Sequence, residues 1–279
     1  MALPSLLALS LALTLNASGS RSPPAKPADA ALPPDELGEA VKLGKKLFDE
    51  TGTHPLTRAF VGNALSCASC HPDSGAHPTA STLLGAATAY PAWGPREQAV
   101  LTLEDRVLNC FMRSLNGTRP PVGSKPSIAL TAYITWLSTG MPVRLNAEAP
   151  LGPHSFAKPA FVPSKVSVER GRKLYGERCA PCHGEDGQGD PPVWGPRSYN
   201  AGAGLAAVPK LAGWLRATMP PDAPLASDAD AVDVAAYVNS QPRPDFVLRD
   251  HLPAGDRTGV YNSSVADEVD RAPTWPRRK

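Results

Sequence analysis

What this chain of 279 residues lacks bounds it first. It has no surplus of either charge: Lys+Arg 28 stand against Asp+Glu 26, a net +2, which removes the electrostatic case for nucleic acid as a partner. It offers no stretch long enough to span a membrane stably. Met1 to Leu15 is Leu/Ala-rich and uncharged but too short to cross a bilayer, and small polar residues from Asn16 to Ser20 follow it. Basic residues are missing ahead of that run, yet its length and flank suit an export signal, and Ser22 to Pro34 reads as a flexible Pro/Ala-rich lead-in. Strand-type alternation is sparse, and 32 Pro with 23 Gly point to short helices joined by long loops.

Cysteine is scarce and odd in number, with 5 in the chain. Four of them form two C-x-x-C-H motifs, Cys67-Ala-Ser-Cys70-His71 and Cys179-Ala-Pro-Cys182-His183. This is the attachment pattern of c-type haem, in which both thiols add across the porphyrin vinyl groups and the adjacent His ligates the iron. The competing readings are a redox dithiol and zinc. Zinc wants four clustered ligands, and each motif supplies two thiols and one His. Each motif also follows a helical pattern ending in an aromatic residue, LGKKLF at 43–48 and RGRKLY at 170–175. Two matches with the same lead-in predict two covalently attached haem c groups, through Cys67 and Cys70 with His71, and through Cys179 and Cys182 with His183. Haem attachment to this motif takes place outside the cytoplasm, so the expected location is the periplasm.

The repeat sets the domain plan. Residues 1–34 are the signal peptide and lead-in, 35–150 a first domain, 151–163 a linker, 164–244 a second domain, and 245–279 a tail of mixed charge without a clear period. Asp35 caps an amphipathic helix bearing Leu37, Val41, Gly44, Leu47 and Phe48, and Pro126 to Thr139 closes the first domain with Ile128, Ala132, Ile134, Trp136 and Leu137 as its apolar set. Ser167 opens the corresponding helix of the second domain, and Ser227-x-x-Asp230 is a capping box for its closing helix. Helix, C-x-x-C-H, loop, ligand, helix is the plan of a small class I cytochrome c. The fold expected is mainly α, two tandem class I cytochrome c-like domains, each binding one covalent haem c. His251 lies beyond the second domain and reads as solvated, while Tyr261 and Trp275 are candidate anchors for the tail.

Each haem then needs a sixth ligand or an open position. In the second domain Met219 precedes a Pro-rich loop and the closing helix, as an axial Met does, and Lys210 is the runner-up. In the first domain the stretch Leu101 to Gly117 carries the remaining cysteine, Cys110. Thr102-x-x-Asp105 is a capping box and Asn116-Gly117 a helix-ending pair. Between them Arg106, Cys110 and Ser114 share one helix face with Arg113 beside it, and Leu103, Val107, Phe111 and Leu115 form the stripe that packs inward. Cys110 is either a small apolar core residue or, biased toward thiolate by the guanidinium groups, a sulfur at the first haem. Met112, Met141, His54 and His77 are the other ligand types available there. Guanidinium groups bind oxyanions through paired hydrogen bonds, so arginine beside a sulfur ligand suggests sulfur oxyanion chemistry.

At these residues the sequence resembles a known family. NCFMRSLNG at 109–117, GNALSCASCH at 62–71 and VWGPRSYNAGAG at 193–204 look like the diheme thiosulfate dehydrogenases, and the resemblance extends from about Leu37 to Pro244. It implies reversible coupling of two thiosulfates into tetrathionate at a His/Cys-ligated haem, with the second haem passing electrons to a soluble c-type cytochrome or similar acceptor. It implies His71 as proximal and Cys110 as distal ligand, with Arg96, Arg106 and Ser114 as substrate-site residues. One position departs: Leu205 stands where family members often carry a Met ligand, which puts weight on Met219 or Lys210. The rival readings are a tetrathionate reductase using the same site in reverse, a diheme electron carrier without catalysis, and a diheme peroxidase, which would want an open, His-rich site.

Overall fold

The structure, a computed structural model, describes residues 32–143 except 79, 156–253, and 261–276 except 266. The export segment up to residue 31 and the start of the linker at 151–155 lie outside the described residues. The first domain consists of α1 (Glu36–Asp49), a short antiparallel hairpin of β1 (Ala92–Gly94) and β2 (Ala99–Leu101), α2 (Leu103–Arg113) and α3 (Lys125–Trp136). The second holds α4 (Val168–Arg178), the single turn α5 (Ala180–His183), α6 (Val208–Thr218) and α7 (Asp228–Ser240). The tail adds β3 (Phe246–Val247), the short α8 (Leu248–His251) and β4 (Val269–Asp270), with β3 and β4 paired antiparallel.

The helix starts follow local chemistry. Asp35 accepts from Leu37 N at 3.1 Å, Thr102 and Asp105 form the reciprocal box at the head of α2, and the Ser167 and Ser227 hydroxyls accept from Arg170 N and Asp230 N. Asn116 takes φ 48°, the left-handed conformation that stops the chain after α2. Helix α6 occupies what the cytochrome plan treats as loop between motif and ligand, and Met219 is its C-cap.

One physical reason explains the internal repeat. In each domain the first helix crosses the closing helix at a glycine, α1 over α3 at Gly44 and α4 over α7 at Gly171. A Cβ on Gly44 would stand 2.0 Å from Ala129 O and 2.7 Å from Tyr133 Cβ; on Gly171 it would stand 2.0 Å from Asp233 O and 3.0 Å from Tyr237 Cβ. The aromatic four residues on is buried at the same crossing: Phe48 packs edge-on against Tyr133, and Tyr175 against Tyr237 and Trp194. Two expected core positions fall outside the apolar faces. Leu37 is 55% and Ile128 53% exposed, because the side of α3 that meets α1 runs through Ala129, Leu130, Tyr133 and Leu137 instead.

The domains are docked by the loop of the VWGPRSYNAGAG motif. Helix α2 ends with carbonyls that have no partner within the helix. The Asn200 amide takes Met112 O at 2.8 Å, Asn200 N takes Arg113 O, and the Asn63 amide bridges Ser114 O and Ser198 O at 2.9 and 3.1 Å. The second domain therefore completes the C-terminus of a first-domain helix. His251 is buried rather than solvated: it stacks on Phe246 and its Nδ1 lies 2.7 Å from Gly117 O.

Gly44→Ala and Gly171→Ala should each cost about 1–3 kcal/mol, the price of forcing a methyl into a packed crossing, although alanine favours helices elsewhere. Denaturant unfolding of the haem-loaded protein measures this. A loss under roughly 0.5 kcal/mol at both positions would contradict the close crossings.

Candidate functional site

The first motif opens a cavity walled by Phe48, Leu130 and Ile134 and by the Cys face of α2, which contributes Arg106, Cys110 and Ser114. Cys67, Cys70 and His71 line the same cavity. His71 Nδ1 sits 2.7 Å from Ser81 O, so that nitrogen carries the proton and Nε2 is left as the metal-binding lone pair. Burial, aided by the Arg106 charge, pulls the imidazole below its usual value and keeps it neutral. As free thiols, Cys67 and Cys70 are pushed up to about 12 by burial, so it is the haem-attachment chemistry rather than spontaneous ionisation that engages them.

Across the cavity Arg106 NH1 donates to Cys110 Sγ at 3.0 Å. The Cys110 sulfur beside it raises the guanidinium further above its usual value, outweighing burial. Tyr90, which sequence reasoning missed, lines the same cavity; burial raises its phenol while the Arg106 charge opposes that shift. It sits in a loop just before Pro91, where no periodicity singles it out.

Cys179, His183 and Met219 line the second cavity, with Leu211, Val234 and Val238 among its apolar walls. His183 Nδ1 lies 2.7 Å from Pro191 O, the arrangement of the first domain repeated. Leu205 also lines this cavity, as hydrocarbon only, whereas Lys210 does not line it. The residues fit haem c in both places: paired thiols next to a His, a ring oriented with one nitrogen committed to the backbone, and apolar walls. The cavities also meet. Cys70 lines both, and Trp214, a wall of the second, donates Nε1 to Cys70 O at 3.2 Å.

Arg113 is not where the helical spacing puts it. Arg113 turns away from Cys110 into the protein, where Glu268 grips it with two bonds of 2.7 Å, Tyr261 accepts another at 3.1 Å, and the Phe246 ring lies 4.5 Å from its guanidinium carbon. Arg96, in the β1–β2 turn, lies outside the lining of the Cys110 cavity. Its NH1 donates to Gly202 O at 2.8 Å, its Nε is 3.6 Å from Glu268, and it lines a neighbouring cavity of about 480 Å³ with Asp270 and Arg271. Arg106, Cys110 and Ser114 are thus brought together, while Arg96 lines a separate cavity. Of the other ligand types, Met112 is fully buried with Phe246, Met141 packs against the first core, and His54 and His77 accept from backbone Leu56 N and Ala80 N. None of the four lines either haem cavity.

Residues 57–143 match the family model "SoxA/TsdA, cytochrome c domain", and residues 166–238 match "Cytochrome C oxidase, cbb3-type, subunit III". Over 227 residues the chain is 37% identical to a thiosulfate dehydrogenase of Thiomonas intermedia, covering 78% of this chain and 70% of that one. Over 244 residues it is 36% identical to a thiosulfate dehydrogenase of Allochromatium vinosum, covering 82% and 86%. The solved structure of thiosulfate dehydrogenase TsdBA from Marichromatium purpuratum, in its as-isolated form, superposes with a TM-score of 0.73 at 38% identity, covering 79% of this chain. This chain spans 49% of the length of that one. The two domains are cytochrome c domains, and together they carry two haem c groups.

Replacing Cys67 and Cys70 together by Ala should remove one covalently bound haem, and replacing Cys179 and Cys182 should remove the other. Intact mass of each purified variant reads the count directly, and two haems remaining in either would refute the assignment.

Proposed function

Because this chain belongs to the thiosulfate dehydrogenase family of diheme cytochromes c, we propose that it oxidises thiosulfate, joins two thiosulfates into tetrathionate at the Cys110 cavity, and passes the electrons to an external c-type cytochrome or similar acceptor. The observation that carries this reading is the Arg106–Cys110–Ser114 constellation beside the first haem motif. The balance is two S₂O₃²⁻ giving S₄O₆²⁻ and two electrons, with no proton consumed or released. Each haem, when attached, supplies a one-electron acceptor: His71 and Cys110 would hold the first, His183 and Met219 the second.

The protein's own groups account for the rest. The Arg106 guanidinium, charged at any accessible pH, draws a sulfonate to the cavity and retains donors beyond the one given to Cys110. The Ser114 hydroxyl adds a further donor one turn along the same wall. A substrate held in this way has its outer sulfur directed toward Cys110. The thiosulfate oxygens lose little charge as the outer sulfur is oxidised, so the cations chiefly overcome repulsion between two dianions brought into one cavity. The meeting of the cavities at Cys70 supports a short onward path for electrons into the second domain. The export reading puts the reaction in the periplasm, and among the described residues no helix is long and apolar enough to cross a membrane. An electron carrier would leave the Arg106–Cys110 pairing without a purpose.

Arg106→Ala should lower kcat/KM for thiosulfate by about 10- to 100-fold, the worth of one or two charged hydrogen bonds, and Ser114→Ala by about 3- to 10-fold. Cys110→Ala should abolish reduction of the haems by thiosulfate while dithionite still reduces both. A Cys110→Ala protein that thiosulfate reduces at the wild-type rate would leave an electron carrier. Faster reoxidation by tetrathionate than reduction by thiosulfate would assign the reverse reaction.

A further inference from the structure

The second haem cavity is lined largely by apolar side chains, yet haem c carries propionate carboxylates that need donors or a countercharge. Most polar side chains in that wall are already committed. Tyr175 donates to Gly184 O at 2.8 Å, Trp214 donates to Cys70 O, Ser69 accepts from Ser66 N, and His183 Nδ1 lies against Pro191 O. The exception is Tyr199. It is 5% exposed, it lines the cavity, and its hydroxyl has no hydrogen-bond partner among the described residues. Burial raises the phenol against the smaller pull of the neighbouring Arg243 charge, so the hydroxyl keeps its proton. A guanidinium cannot accept that proton in a hydrogen bond, so the donor stays uncommitted.

Behind the Tyr199 ring lies a charge without a match. Arg243 is 7% exposed, with its guanidinium carbon 4.2 Å from the ring centroid. Its NH2 donates to Val238 O at 2.9 Å and Asn239 Oδ1 at 3.2 Å, its NH1 donates to Tyr199 O at 3.4 Å, and its Nε has no partner. Tyr199 and Val238 both line the cavity, so these contacts put the guanidinium directly behind its wall. Arg113 and Arg119 are comparably buried and are matched by Glu268 and Asp105. Arg243 has no carboxylate in an ion pair among the described residues. A buried guanidinium stays charged and needs a countercharge.

We propose that Tyr199 and Arg243 form the carboxylate site for a propionate of the second haem, with the phenol as direct donor and the guanidinium as the countercharge behind it. The site rests on the two haems and is independent of the thiosulfate reading. Tyr199 also packs against the core of the first domain and shares the cavity wall with Cys70 of the first motif, so the site lies at the domain boundary. A bare carboxylate beside the iron favours Fe(III); a donor and a cation offset it and raise the potential of the second haem.

The test uses the haem-loaded full chain. Tyr199→Phe keeps the ring, its stacking on Arg243 and the backbone carbonyl, and removes only the hydroxyl. A propionate bending band in its resonance Raman spectrum should move to lower frequency. At about pH 8, where carboxylates are ionised, its second haem should be about three- to tenfold harder to reduce, as expected for a lost charged hydrogen bond felt only in part at the iron. The potential of the first haem, identified as the one that persists when Cys179 and Cys182 are both replaced by Ala, should stay fixed. Arg243→Gln should lower the second potential further, and Arg243→Lys, which retains the charge, should lower it less. Should Arg243→Gln fail to fold, Tyr199→Phe and Arg243→Lys carry the test. Removing a buried hydroxyl that bonds nothing leaves stability unchanged or raised, whereas Tyr199→Phe should lower the denaturant midpoint of the haem-loaded protein. An unshifted propionate band, an unchanged second potential, a change confined to the first haem, or an unfolding midpoint that holds or rises in Tyr199→Phe would each overturn the site.

Discussion

The contact of Trp214 with the Cys70 carbonyl, where two haem cavities share one cysteine as a wall, is the constraint on which the arrangement depends. Two cytochrome domains on a loose linker would present their cavities in many relative positions. Here the second domain supplies the partners that the end of α2 needs, through Asn200 and through the carbonyl of Ser198 that Asn63 bridges to Ser114. Unsatisfied buried carbonyls are costly, so the docking is specified by hydrogen-bond satisfaction as well as by apolar contact. The helix that carries Cys110 is thereby completed by the second cytochrome c domain.

Charge is distributed unequally around that helix. Arg113 and Arg119 are 4% and 1% exposed and are matched by Glu268 and Asp105, with Asn109 assisting Arg119. Buried guanidinium groups require such partners, since the loss of one leaves an uncompensated charge in a poorly solvating interior. On the Cys110 face Arg106 is met by a sulfur and a phenol, with no carboxylate in an ion pair among the described residues. One side of α2 is neutral and structural, and the other holds a positive potential directed at the cavity.

Much of this was legible in the sequence because it is local. The caps at Asp35, Thr102, Ser167 and Ser227, the two motifs, and the i, i+4, i+8 spacing of Arg106, Cys110 and Ser114 are encoded within a few residues. The repeated glycine was visible as a pattern, but its reason, a carbonyl 2.0 Å from an absent Cβ, belongs to the crossing helix. Arg113 was misplaced because its carboxylate partner lies 155 residues away, and no helical wheel includes Glu268. Resemblance alone singled out Arg96, and its hold on Gly202 O spans 106 residues. Lys210 was weighed as an iron ligand, yet its side chain lies by Gly204 and does not line the second haem cavity.

The tail offers no period or motif, yet Glu268, Tyr261 and Asn262 all bind the α2 region, and β4 closes on β3 beside it. Residues far along the chain therefore neutralise a charge buried beneath α2. The other carboxylate in an ion pair with Arg113 among the described residues is Glu97, at 3.8 Å. In a chain threaded outward from its N-terminus, Cys67 to His71 emerges almost two hundred residues before Glu268. Made from its N-terminus, the chain therefore completes the first haem motif well before the carboxylate that grips Arg113.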